Sequence, residues 1–372
     1  MLTDNRIYKL AEGLVDYSCR VKAGERVLIE ATGVDYQLVN ALIKKVYERG
    51  AYPHVVLHDN RVNRYVLMNM TEAHAKDMAR YALARMDEMD AYIGVRGGNN
   101  MFELSDVPPE KMQLYNTLYN QPVHTDCRVG KTKWVVLRYP TEGFSLKNSM
   151  STEACEDFYF NVCTLDYSKM SKAMEPLIEL LNKTDEVKII APGTDLTFSI
   201  KDIPAIKCDG QRNIPDGEIF TAPVRNSVNG TITFNAPSIQ QGIEFNNVKL
   251  TFKDGKIIEA TANHTEALNK ILDTDEGARY IGEFAFGINP FIKKPVGDLL
   301  FDEKISGSIH FTPGNCYEST ENGNKSAIHW DLVAIHTEEF GGGEIYFDGV
   351  LVRKNGLFVP ESLHCLNPEN LM

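Results

Sequence analysis

No apolar run in this sequence approaches the roughly 20 residues needed to cross a bilayer, so no membrane-spanning helix is expected. The opening residues, MLTDNRIYKLAEGL, have neither the apolar core of a secretory signal nor the Arg-rich bias of a transit peptide, which points to the cytoplasm. The seven cysteines (Cys19, Cys127, Cys155, Cys163, Cys208, Cys316 and Cys365) are odd in number and lack a CxxC pair. That spacing argues against a disulfide framework or a zinc ribbon and favours reduced thiols packed as small apolar groups. Basic excess is missing too: the net charge is −12, so there is no electrostatic footprint for nucleic acid. There are no low-complexity tracts, and neither GxGxxG nor GxxxxGK occurs where a phosphate would need it.

The composition, 43% hydrophobic and 24% charged, is that of an ordinary soluble protein, and 372 residues exceed one comfortable core. Two domains are therefore expected, an α/β scaffold over 1–184 and a β-rich α+β domain over 185–372. The first helix carries Ile7, Leu10, Leu14 and Val15 at helical spacing, with Thr3 as its cap. Strands are expected at Arg26–Ala31, His54–His58, Ala91–Val95 and Trp134–Arg138. Leu38, Ala41, Leu42 and Val46 mark a helix between the first two, ended by Gly50, and a Met-rich helical region runs to about residue 87. Short apolar strands alternating with helices imply a doubly wound, mostly parallel sheet covered on both faces. The loop Arg96-Gly97-Gly98-Asn99-Asn100 reads as a structural turn, and His54, His58, His74 and His124 as structural or surface residues. Residues 151–183 read as helical, with Met170, Ala173, Met174, Leu177, Ile178 and Leu181 as the apolar stripe.

Past residue 185 the pattern becomes β. A Pro-Gly turn separates Val187–Ile190 from Leu196–Ile200. Asp254-Gly255 and Asp348-Gly349 each sit between apolar runs, a strong hairpin signal. A helix is expected at roughly 264–286. Two carboxylates stand out: Glu218, just after the turn Pro215-Asp216-Gly217, and Glu283, the one charge in the apolar run Ile281–Gly287. Burying a lone carboxylate costs several kcal/mol, so Glu283 must be paired, neutralised or bound to a metal.

The chemistry is densest at 303–331, EKISGSIHFTPGNCYESTENGNKSAIHWD, which holds Glu303, His310, Tyr317, His329 and Asp331. Imidazole and carboxylate suit zinc, cobalt, manganese and iron. In an extended segment His329 and Asp331 share a face and can share an ion. Taken alone, the triplet reads as two ordinary histidines near a hairpin. Cys316 reads as a neutral filler.

The order and wording of GEIFTAP, GEFAFG, LFDE before SIHFTPGNCY, His329-Trp330-Asp331 and GGGEIYFDGVLV resemble the aminopeptidase T family of two-metal exopeptidases. The N-terminal half is compatible with that family as well. The resemblance implies metal ligands at Glu218, Glu283, Glu303, His310, His329 and Asp331, with Glu303 the least secure because its spacing to the next histidine varies. It implies two divalent ions (zinc, cobalt or manganese), a metal-activated water as nucleophile, and Glu283 or Asp331 as the bridging carboxylate. Tyr317 is placed to donate to the oxyanion, or else is a packed tyrosine bonded to the backbone. Substrates would be short peptides with a free N-terminus, and the molecule a homodimer. Thr312 and Pro313 depart from the family's small or apolar residues, a change expected to reshape the pocket wall without touching a ligand. A mononuclear iron ring-cleaving dioxygenase is the rival, since His310, His329 and Asp331 would also form its facial triad. Glu218 and Glu283 discriminate, because one iron has no need of them.

Overall fold

The computed structural model describes residues 4–100 and 102–372. They form two compact units. One takes the chain up to Thr164 together with Gly210–Pro215, and the other takes Leu165–Asp209 and Asp216–Met372. The changeover falls at Thr164/Leu165, ahead of the 184/185 expected from composition. Helix Tyr167–Leu181 is the reason. Its stripe of Met170, Ala173, Met174, Leu177 and Leu181 is buried within the second unit, so the polar break after it is a turn inside that unit.

In the first unit, β1 (Arg26–Thr32), β2 (Tyr52–His58), β3 (Ala91–Arg96) and β4 (Lys133–Arg138) lie in the order β2-β1-β3-β4, with Asn213–Ile214 beyond β4. All neighbours run parallel, as alternation with helices requires. The first helix is capped by Asp4, whose carboxylate accepts from the backbone N–H of Arg6; Thr3 lies outside the described residues. The Met-rich region divides into Asn60–Met68 and Glu72–Met86, capped by Asp59 and Thr71. Leu28 and Tyr92 of the sheet pack against Ala79, Ala82 and Met86 of the second of these helices.

The second unit is antiparallel. Its eight-stranded sheet contains all three expected hairpins: Glu186–Ala191 with Thr194–Ser199, Lys249–Lys253 with Lys256–Thr261, and Glu344–Phe347 with Val350–Lys354. A separate five-stranded sheet is built from β5 (Ile206–Cys208), β6 (Glu218–Thr221), β7 (Ile281–Gly287), β8 (Ser308–Pro313) and β9 (Leu332–Ile335), in the order β9-β8-β7-β6-β5. The helix expected at 264–286 spans only Thr265–Leu272. Beyond it, the Asp275 carboxylate accepts from the Ala278 N–H and turns the chain. The apolar run that follows is a central strand with all seven residues buried. Burial on both faces removes the alternation that would have marked it as β. Among the described residues, no helix is long and apolar enough to cross a membrane, and all seven cysteines are free.

Candidate metal centre

The five-stranded sheet sorts its residues by face. Glu218 pairs with Gly287, His310 with Ala285 and Thr312 with Glu283, so Glu218, Glu283, His310 and Thr312 share one side. On the other side, Phe284 and Phe311 pack against Phe198, with ring centroids 5.0 and 5.1 Å away. One face is therefore an apolar core that fixes the sheet, and the other presents acids and imidazoles. The register slips between Ile281 and Glu283, a bulge of the kind that re-aims a side chain. The glycines flanking this strand are there for close approach: a Cβ on Gly282 would lie 2.2 Å from the Asn315 carbonyl oxygen, and one on Gly287 2.4 Å from that of Ile305.

Ligand atoms of Glu283, His310 and Asp331 all lie within 4.8 Å of one another. His310 Nε2 is 2.8 Å from Glu283 Oε1 and 3.8 Å from Glu218 Oε2. His329 Nε2 is 3.3 Å from Asp331 Oδ1 and 3.6 Å from Glu283 Oε2. The i, i+2 geometry expected of His329 and Asp331 is present. Trp330 points the opposite way, buried, with its Nε1–H donating to Ser238 Oγ at 2.8 Å. Each imidazole is fixed by a backbone carbonyl on its other nitrogen: His310 Nδ1 lies 3.3 Å from Glu303 O, and His329 Nδ1 2.8 Å from Asn315 O. Both Nε2 atoms are thus aimed at the carboxylates.

Glu303 stands differently. Its backbone orients His310, but its carboxylate is ion-paired with Lys304, which also reaches Glu218 Oε2 at 3.4 Å. Lys304 is 1% exposed and gave no signal in the sequence, being one lysine among many. Asp216 and Cys208 were also missed; with Glu218 they bring ligand atoms within 4.8 Å of one another. Thr312 corrects an expectation. Its hydroxyl donates to Asp331 Oδ1 at 2.7 Å, so it touches a candidate ligand directly. The Tyr317 ring is half-exposed and lies 4.8 Å from the His329 ring and 5.7 Å from Phe220. Cys316 is buried, its thiol donating to the Asn324 carbonyl.

The electrostatics follow from too many acids in too little water. Burial, reinforced by Asp331 and Glu218, pushes Glu283 above the ordinary carboxylate range despite its bond to His310. Burial lifts Glu303 to about 8, against the pull of Lys304. Burial alone would depress both histidines. The bond to Glu283 and the charge of Glu218 instead raise His310 to about 10, and Asp331 raises His329 to about 9. Burial is outweighed at Asp331 as well, where His329 holds the carboxyl well below its usual value.

These residues fit a divalent cation. The donors are imidazole nitrogen and carboxylate oxygen, the set such ions take. Glu283 Oε2 is buried and has no hydrogen-bond partner, although a buried carboxylate oxygen ordinarily has one. The surrounding acids push both imidazoles upward, and a cation would neutralise those acids in their place. A convergent set of this kind on a rigid sheet is the equipment of a metal-dependent enzyme.

Comparison with known proteins gives the family. Residues 3–357 match the family described as Thermophilic metalloprotease (M29). Aminopeptidase T of Thermus aquaticus is 27% identical over 96% of this chain and 97% of its own length. Aminopeptidase PepS of Streptococcus thermophilus is 24% identical over 94% and 97%. Among solved structures, wild-type AmpT from Thermus thermophilus aligns over 96% of this chain and 99% of its own, with a TM-score of 0.78 at 22% identity. A 2,5-dihydroxypyridine dioxygenase from Pseudomonas putida KT2440 aligns over 98% and 100%, with a TM-score of 0.62 at 15% identity, and shares the fold. The chain belongs to the M29 metalloprotease family.

Proposed function

We propose that this metalloprotease is an aminopeptidase, releasing the N-terminal residue of short peptides at a centre of two divalent cations. Glu218, Glu283, Glu303, His310, His329 and Asp331 would hold them. The observation that carries this reading is Glu283. Its Oε1 meets His310, and its otherwise unpartnered Oε2 faces His329. One buried carboxylate thus faces two imidazoles, a placement that suits a site for two cations which Glu283 would help to hold. The relatives named aminopeptidase T and PepS support the restriction to N-termini.

When bound, the ions would polarise the scissile carbonyl and make water a usable nucleophile near neutral pH. The chain does the rest. The Glu303 and Asn315 carbonyls lock the two imidazoles so that Nε2 faces inward. Thr312 holds Asp331 in place. The Lys304 ammonium offsets the charge of Glu218 and Glu303 and keeps these acids from repelling one another apart. The Tyr317 hydroxyl makes no hydrogen bond among the described residues, and its ring lies against His329. It is free to donate to the substrate carbonyl oxygen as that atom gains negative charge. Phe220 and Tyr317 together give the substrate side chain an aromatic wall.

The test is metal analysis together with a scan of aminoacyl reporter substrates on chelator-stripped protein, adding back zinc, cobalt or manganese. Two ions per chain and hydrolysis only of reporters with a free amine are expected. One iron per chain with oxygen consumption would overturn the reading in favour of the dioxygenase. The proposal includes a cytoplasmic homodimer, and a monomeric mass in sedimentation would remove that part.

A further inference from the structure

The first unit holds a cavity of about 320 Å³ whose lining includes none of the candidate metal ligands. It lies at the carboxyl ends of β1, β2 and β3, reached by Glu30 and Thr32, by His58, and by Gly94 and Arg96 respectively. In the order β2-β1-β3-β4 the chain reverses direction of travel between β1 and β3, and in open parallel sheets ligands settle in the crevice at that reversal. The cavity floor is Glu30. His58 Nε2 lies 2.8 Å from Oε1, and the Tyr92 hydroxyl donates to Oε2 at 2.8 Å. Burial would raise this carboxyl, but those two bonds outweigh it and hold it at about 2, so it is a standing anion. Tyr92 can lie across the sheet only because residue 94 is glycine; a Cβ there would be 2.7 Å from its ring.

Arg96 supplies the opposite charge. It is exposed at the cavity, and its guanidinium makes no hydrogen bond or ion pair among the described residues. Leu67, Met70, Met78, Met112 and Tyr115 form an apolar and aromatic wall, and the turns of Asn116–Val129 add Tyr119, stacked on Tyr115 with ring centroids 5.0 Å apart, and His124 to the lining. A phosphate does not suit this site, since a carboxylate forms the floor.

We propose that this cavity binds a free α-amino acid with an apolar or aromatic side chain, its ammonium at Glu30, its carboxylate at Arg96 and its side chain on the Met/Tyr wall. The proposal stands apart from the peptidase reading, because it uses no residue of the metal centre. Titration calorimetry of the full-length, metal-loaded protein with L-phenylalanine tests it, with N-acetyl-L-phenylalanine and L-phenylalaninamide as probes lacking one charge each. Saturable binding of the free amino acid is expected, weakened about tenfold or more for either blocked analogue and in Arg96→Ala and Glu30→Gln. Met78→Trp, which fills the cavity, should abolish it, and His329→Ala should leave it intact. Should Glu30→Gln fail to fold, Arg96→Ala and Met78→Trp decide. No binding to the unaltered protein overturns the proposal, as does binding indifferent to both of those variants. Binding lost in His329→Ala would place the amino acid at the metal centre instead and overturn it too.

Discussion

Two glutamate–histidine pairs, one half-buried in the first unit and one buried in the second, share the same 2.8 Å contact and behave in opposite ways. At Glu30–His58 both carboxylate oxygens have donors, and no second acid bears on the pair; the carboxyl is held down at about 2. At Glu283–His310 one oxygen is left without a partner, Glu218 and Asp331 add negative charge, and the carboxyl is driven up. The acid–imidazole contact is therefore not itself the mark of a metal centre. The mark is a buried acid left incompletely satisfied among others of its kind.

The comparison breaks most directly at Glu283. Glu283→Gln should lower kcat/KM on aminoacyl reporters by about a thousandfold, roughly 4 kcal/mol of transition-state stabilisation, and reduce metal content. Glu30→Gln should leave metal content at the unaltered level. Equal metal loss in both variants would mean that the contrast between the pairs has no functional content.

A second difference is how each pair is held. Arg353, 2% exposed, donates to the carbonyls of Gly287, Ser308 and Gly356 and lies against the rings of Phe286 and Phe358. It ties β7 to β8 without a carboxylate partner. Arg353→Met leaves three buried carbonyls unsatisfied and should cost about 3 kcal/mol in chemical denaturation. Thr312→Val removes only the hydroxyl that steadies Asp331, so a 10- to 100-fold loss of metal affinity is expected by competition with a chelating dye, with little change in stability.

An effect confined to acid pH comes from a buried histidine that has no acid beside it among the described residues. His336 is 2% exposed, neither ring nitrogen has a hydrogen-bond partner, and burial depresses it from 6.5 to about 3. The unfolded chain takes up this proton near pH 6.5 and the folded one does not. Stability is therefore complete above pH 6.5 and declines on acidification toward 3, by about 1.4 kcal/mol per pH unit from this group. Denaturation midpoints at several pH values should show a shallower acid slope in His336→Leu than in the unaltered protein.

The parallel sheet was legible in the sequence because buried strands leave short apolar runs, each closed by a cap or a glycine. The candidate metal centre was legible in part. His329 and Asp331 declared themselves by two-residue spacing, Glu283 by its isolation in an apolar run, and the family wording joined them to Glu218 and His310. What stayed hidden depends on contacts between distant segments. Lys304 has no pattern of its own, and its reach to Glu218 emerges only when β6 and the 299–303 turn meet. Thr312 looked like wall until pairing set it beside Asp331. His58 and Arg96 read as surface and turn because Glu30, which gives them meaning, sits on another strand. The β7 strand was merged with the preceding helix because a strand buried on both faces has no period of two to read.

Trp330 has the widest consequence for how the protein is used. Fully interior, bonded to Ser238 and set 5.1 Å from the Phe245 ring, it rivets the backbone between His329 and Asp331. The two side chains on either side of the rivet keep their spacing whatever sits between them. The spacing of the two side chains is thus set by the chain's own interior, so a cation would enter a frame already in place.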